Sequence, residues 1–271
     1  MEMRNIRLDV SYIGKNYFGW QWQPDAVTLE GAIKQAVEQM VRHEITLYSS
    51  GRTDAGVHAE QHVAHFFSQT QIQAENFLRG LNSLTPDDIV IRRVRDMPQQ
   101  WSARHDPIER EYRYTFYNAL IPNVFLQDYT CWEKRDLNVQ AMREGARYLV
   151  GRHDFSAFRS LHCDADNPVR TLLECRIIDD RPLIHIHLRG HAFLRHQVRI
   201  MAGALRKVGM GWKEPASIKE ALNSKVRDST NETLPAHGLT LVAVRYAEDD
   251  EQDKQSDFLT RLYYQNAENP V

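Results

Sequence analysis

One succession of hydrophobic periods constrains this chain more than any other feature. The order strand, helix, strand, strand, helix, strand can be traced roughly twice, with a join near residue 105. Asn5 to Tyr12 alternates Ile6, Leu8, Val10 and Tyr12 against polar neighbours, the period of a half-buried strand. Thr28 can cap a helix whose apolar face is Leu29, Ile33, Ala36, Val37, Met40 and Val41, with Glu30 at its positive end. Glu44–Ser49 and His62–Phe67 read as strands, Asn76–Leu84 as a helix and Ile89–Val94 as a strand. Beyond the join, the pattern predicts a strand over Arg110–Tyr117, a helix over 138–150 and strands over 172–179 and 183–189. A long helix from about His191 to Gly209 or Gly211 and a closing strand from Gly238 to Tyr246 complete it. The expectation is an α+β chain of two related halves, residues 1–105 and 106–247, each like a split βαβ (ferredoxin- or RRM-like) unit. Residues 248–271 form an acidic tail in which Glu248–Gln255 is expected to be solvated and Phe258–Tyr264 to form a short helix.

The chemistry is expected in Ser50–Gln61, between two strand-like runs. Gly51 and Gly56 suit a loop that bends sharply or approaches something closely. Asp54 is the only acid between Glu44 and Glu60, and Arg52 lies two residues before it. A nearby guanidinium favours an ionised carboxylate. Taken alone, an Arg-x-Asp loop is more often a surface ion pair of little consequence. A metal site is the other possibility, since His58, His62 and His65 cluster, as do His185, His187, His191 and His196. No spacing among them matches a metal mechanism, and His185 and His187 read as a solvated or substrate-facing strand face.

The wording of the loop, Gly51-Arg52-Thr53-Asp54-Ala55-Gly56-Val57-His58-Ala59, resembles the signature of the TruA family of tRNA pseudouridine synthases. Further landmarks of that family follow in order: Tyr12-x-Gly14-x-x-x-Phe18-Gly19-Trp20-Gln21, Arg110-x-Tyr112-x-Tyr114, Gly151-x-His153-Asp154-Phe155, and His191-Ala192-Phe193-Leu194-x-His196-x-Val198-Arg199. In the last, His191 stands where the family usually has asparagine, which puts that position's hydrogen bond in question. The resemblance runs from Leu8 to about Tyr246. It implies two α+β halves with joined antiparallel sheets, flanked by helices and loops, and an active cleft between them. It implies Asp54 as nucleophile, Tyr112 stacking on the target uracil and Arg199 as the active-site basic residue. It places Gly238 and Leu239 near the uracil. Arg52, beside the nucleophile, suits a phosphate contact or the space vacated by the base, and His58 is a further candidate for substrate binding. The activity implied is isomerisation of uridine to pseudouridine in the anticodon stem-loop of tRNA, at tRNA positions 38, 39 and 40. It needs no cofactor and no metal, and it implies a homodimer in which one tRNA touches both subunits.

The aromatic residues divide between these roles and the core. Tyr114, Phe116 and Trp20 are expected in the core, and Trp22 fits either core or RNA contact. Net charge is −2, which by itself speaks against a nucleic-acid partner. The segment from Ala247 onward holds seven acids against two bases, however, which leaves 32 basic and 29 acidic residues in 1–246. A local basic surface is therefore allowed, with Arg92, Arg93, Arg152, Arg159 and Arg195 as candidates. No apolar run is long enough to cross a membrane, and the first residues lack a signal peptide's apolar segment. Three cysteines without a pairing motif suggest reduced thiols in the cytoplasm. Two rival readings remain: a non-catalytic RNA-binding protein using its sheet face, and a nucleoside hydrolase, which would want a second carboxylate that only Glu60 offers.

Overall fold

The computed structural model describes residues 2–227 and 232–249. The first half runs β1 (Arg4–Tyr12), α1 (Leu29–Val41), β2 (Tyr48–Ser49), β3 (His58–Ser68), α2 (Ala74–Leu84) and β4 (Ile89–Met97). The second runs β5 (Glu109–Asn118), β6 (Cys131–Glu133), α3 (Val139–Arg147), β7 (Gly151–Asp154), β8 (Val169–Asp180), β9 (Leu183–Gly190), α4 (Gln197–Gly209), α5 (Ser217–Ser224) and β10 (Leu239–Arg245). All ten strands form one sheet in the order β4-β1-β3-β10-β5-β9-β8-β7, with β2 on β3 and β6 on β5. Within each half the order is that of a split βαβ unit: β4-β1-β3-β2 in the first, β10-β5-β9-β8 in the second. Most pairings are antiparallel; β10 on β3 and β6 on β5 are parallel.

The seam exists because β2 is short. It covers only the far end of β3, pairing Tyr48 with His65 and Ser49 with Ala64. The near end of β3 is left open, and β10 fills it, pairing Thr240 with His58 and Leu241 with Ala59. An exposed strand edge is thereby covered within the chain. Two apolar cores lie under the helices. The seam strand feeds both: Leu239 packs in the second core, Leu241 and Val244 in the first. Val57 makes the reciprocal crossing, from the first half into the second core.

The other sheet face is polar. Strand alternation sends Arg7, Asp9, Glu111, Arg113, His185 and His187 to it, and all are buried. Arg113 pairs with Glu60 at 2.5 Å, Arg245 with Glu111 at 2.9 Å and Arg189 with Glu109 at 3.0 Å. His185 and His187 are therefore not on a solvated face, as their alternation alone suggested. The side chain of Asp249 is largely covered as well. It accepts from Arg7 Nη1 at 2.7 Å and Arg95 Nη2 at 3.3 Å, so Asp249 is tied down while Glu248 is exposed, and the rest of the run, 250–255, lies outside the described residues. The expected helix over Phe258–Tyr264 lies outside the described residues.

Several boundaries differ from expectation. Glu44–Leu47 is not strand, because only Tyr48 and Ser49 reach β3. β3 begins at His58, four residues early, and α3 ends at Arg147. α4 begins at Gln197, because His196 takes a left-handed conformation (φ 62°) that a continuing helix cannot contain. Trp20 is buried, whereas Trp22 is exposed.

Burial sets a pH dependence of stability. His62 is fully buried beside Trp20, with ring centroids 3.8 Å apart, and burial pushes its pKa down to about 3. His65, packed on Trp101, is lowered to about 4 for the same reason. An unfolded histidine titrates near pH 6.5. Below that pH the unfolded chain takes up protons that the native state refuses, so stability falls with pH. Each such histidine contributes a slope of at most about 1.4 kcal/mol per pH unit. The melting temperature should therefore drop steadily between pH 7 and pH 5, before most carboxylates titrate. A melting temperature that stays level across that window would contradict the assignment.

Candidate active site

Asp54 sits in the loop between β2 and β3, and both halves hold that loop. From the first half, Thr53 O accepts from Trp20 N at 3.0 Å, and Thr53 Oγ1 and the Tyr12 hydroxyl lie 2.8 Å apart. The His62 ring reaches Gly51 O at 3.1 Å. Val57 N donates to Asp54 O at 3.1 Å, which turns the chain back into β3. Gly19 is where only glycine serves. Its φ is +88°, and a Cβ there would stand 2.8 Å from Thr53 O. From the second half, Arg110 Nη2 donates to Ser50 O at 2.8 Å, and Arg199 reaches the carboxylate itself.

Arg199 lies in the first turn of α4. Its Nη1 donates to Asp54 Oδ2 at 2.9 Å and its Nε to Leu234 O at 2.7 Å. One planar guanidinium thus joins the loop of the first half to a segment of the second. His196 Nε2 stands 3.5 Å from the same Oδ2. Asp54 keeps about a quarter of its side-chain surface open, enough for a substrate to reach it.

Tyr112 on β5 faces the helix side and touches both cores. Phe193 meets its ring edge-on, with centroids 5.0 Å apart. Burial pushes the phenol up to about 12; Arg110 opposes that shift and Asp54 adds to it. At neutral pH Tyr112 is therefore a neutral phenol. Leu241 lies directly opposite Tyr112 on β10, and the two line a small pocket with Arg52, Thr53 and Arg110.

Asp54, Arg199, Tyr112 and Arg52 are thus brought to one place. Arg52 is exposed at its rim. Leu239 faces the same side but is buried in the second core, two residues from the pocket-lining Leu241. His58 is elsewhere. Because β3 starts early, His58 points to the polar face, where it accepts from Gly14 N at 3.1 Å through Nδ1 and its Nε2 contacts Asp128 O at 2.9 Å. It lines a separate groove of about 780 Å³ with Glu60, Arg92, Arg93 and Arg113. Glu60, paired with Arg113, is on that face too, so it does not serve as a second carboxylate beside Asp54. His191, in place of asparagine, uses Nδ1 against Ile108 O at 2.8 Å, while its own carbonyl accepts from Arg110 Nη1 at 2.6 Å.

Sequence reasoning passed over Arg110, Phe193, Leu241 and His196 as site residues. Helical spacing gave no signal for His196, which lies outside α4 in a left-handed conformation; only the folded backbone turns it toward Asp54. Among the described residues, no group of three or more His, Cys, Asp or Glu side chains is arranged to hold a metal ion. No described helix is long and apolar enough to cross a membrane.

A model of the family described as tRNA pseudouridine synthase matches residues 10–106 and 146–247, a span that includes Arg52, Asp54 and Arg199. This chain belongs to that family. The tRNA pseudouridine synthase A of Francisella tularensis subsp. holarctica (strain OSU18) is 35% identical over 246 residues, covering 91% of this chain and 95% of the relative. The corresponding protein of Francisella philomiragia subsp. philomiragia (strain ATCC 25017) shows the same identity and coverage. These matches place the chain in the TruA branch, and membership makes it an isomerase. The ten-stranded, mostly antiparallel sheet with five helices accords with the α+β architecture of that branch.

Proposed function

We propose that this protein converts uridine to pseudouridine in the anticodon stem-loop of tRNA, at positions 38, 39 and 40, with Asp54 as the nucleophile. The observation that carries this reading is one carboxylate, partly open to solvent, gripped at 2.9 Å by Arg199 between the halves of the sheet. The reaction breaks the N1–C1′ bond, turns the uracil and forms C5–C1′. A proton leaves C5 and another arrives at N1, so nothing is oxidised and no cofactor is consumed. A carboxylate that adds and later departs suits such a sequence. The target base must first leave its stack, at a cost of about a few kcal/mol. Tyr112 offers a ring for it to stack on, and Arg52 suits a neighbouring phosphate.

The rivals fit less well. A hydrolase wants a second carboxylate near the first, and Glu60 is turned to the other face. A sheet-face RNA binder wants exposed aromatic platforms, and that face holds buried Arg–carboxylate pairs instead.

The reading extends to assembly and place. We infer a homodimer that shares one tRNA across two subunits, each subunit organised as halves 1–105 and 106–247. An apolar loop supports it: Leu120, Ile121 and Phe125 are each more than 70% exposed, unusual for three large apolar neighbours. Arg152 and Arg195 are exposed and Arg159 is partly so, whereas Arg92 and Arg93 line the groove on the polar face. A cytoplasmic location follows from the substrate, and the three cysteines are all free thiols.

Tritium release from C5-labelled uridine in unmodified tRNA is the direct test. Release is expected from whole tRNA and more weakly from an isolated anticodon stem-loop, which lacks the remote contacts. The protein should sediment as a dimer at micromolar concentration, and tRNA affinity should fall steeply with salt. Binding without release would return the protein to the RNA-binding reading. A monomer that modifies a stem-loop as well as whole tRNA would remove the dimer and keep Asp54.

A further inference from the structure

Position 196 combines two unusual features. It is one of three described non-glycine residues with positive φ, and it lies beside the candidate nucleophile. A left-handed residue costs about 1–2 kcal/mol unless it is glycine or a short amide such as asparagine. Strain of this kind persists where the surroundings enforce it, often at functional sites. Here the enforcement is visible. Arg195 O accepts from Ser160 N at 3.0 Å, and the Gln197 side chain caps Leu194 N at 2.8 Å. The His196 side chain makes no capping bond to its own helix. It is turned outward, with Nε2 3.5 Å from Asp54 Oδ2, an electrostatic contact slightly longer than a formed hydrogen bond.

Arg199, one turn later, addresses the same oxygen at 2.9 Å. Both groups therefore converge on Oδ2. We propose that His196 is a positioning residue: with Arg199 it fixes Oδ2 of Asp54, so that Oδ1 faces the reacting carbon. The inference rests on the nucleophile reading above. Catalytic contacts that are long in an unliganded site commonly tighten when substrate closes it. Burial favours the neutral imidazole, with Arg199, Arg195 and Arg227 acting in the same direction and Asp54 opposing them. A neutral ring with its proton on Nε2 can donate to Oδ2 without neutralising the nucleophile. Two donors on one oxygen restrict rotation about the Cβ–Cγ bond of Asp54, which Arg199 alone leaves less constrained.

Two substitutions separate the side chain's role from the backbone's. Asn tolerates the left-handed conformation as well as histidine does, but its amide ends one bond short of where Nε2 lies. Gln reaches as far as Nε2 but tolerates that backbone less well. Single-turnover rates on tRNA, tRNA dissociation constants and melting temperatures would be measured for wild type, His196→Asn, His196→Gln and Asp54→Asn. The expected result is that His196→Asn melts and binds like wild type yet reacts about 10–100-fold more slowly. His196→Gln should recover most of that rate. Wild-type rate in His196→Asn would overturn the proposal, and so would an equal loss in Asn and Gln. Asp54→Asn reports on the other question. If it is inactive while His196→Asn is fully active, only the positioning role fails. If Asp54→Asn itself turns over, the nucleophile reading fails.

Discussion

Asp54→Asn should abolish pseudouridine formation, by about 10⁴-fold or more, while the protein still folds and binds tRNA. The size of the effect follows from the absence of a substitute. Loss of a nucleophile from an otherwise intact site costs other enzymes several orders of magnitude in kcat. Glu60, the nearest acid along the chain, cannot take its place, because it is committed to Arg113 on the opposite sheet face. The amide keeps the shape and can still meet Arg199 through its carbonyl oxygen, so the loop should stay in place. Asp54→Glu keeps the charge but pushes it outward by about an ångström, which can itself cost roughly 100-fold. Tritium release and tRNA binding, measured on the same preparation, decide the matter. More than a trace of turnover in Asp54→Asn would take the residue out of the role.

Arg199→Met should give the second largest loss, about 100-fold or more in kcat with little change in KM. It removes both bonds of the guanidinium, the one to Asp54 Oδ2 and the one to Leu234 O. The carboxylate then keeps its charge but loses its aim. Arg199→Lys should fall between, since an ammonium on a flexible stem supplies charge without the two-pronged geometry. The melting temperature should fall in Arg199→Met as well, because the side chain ties the loop of one half to the other. Separate kcat and KM values would test this. A rise in KM alone would mean that Arg199 binds substrate rather than orients the nucleophile.

The two residues behind these predictions were legible in different ways. Asp54 stands out in the sequence as the one acid of a glycine-bearing loop between two strand-like runs. Arg199 is one arginine among many, and only the resemblance to the TruA pattern picked it out. His196 was lost among seven clustered histidines, and its place beside Asp54 depends on a left-handed backbone that no helical period records. His58 was drawn into the site by its closeness to Asp54 along the chain. The strand that begins at His58 sends it to the opposite face, because side chains alternate along a strand.

Periodicity, caps and turn residues are local, so the chain's own order was enough for the α+β class, the succession of elements and the helix that Thr28 caps. That cap does form, with Thr28 Oγ1 accepting from Gly31 N at 3.3 Å. The seam of the sheet is a different kind of fact. β10 enters between β3 and β5 because β2 stops after two residues, and no hydropathy period records where a strand runs out of partner. The site depends on the same kind of information. Asp54 and Arg199 are 145 positions apart and meet at a single oxygen. Amino-acid order determined that a carboxylate would sit in a glycine-bearing loop; only the folded contacts decided which side chains hold it.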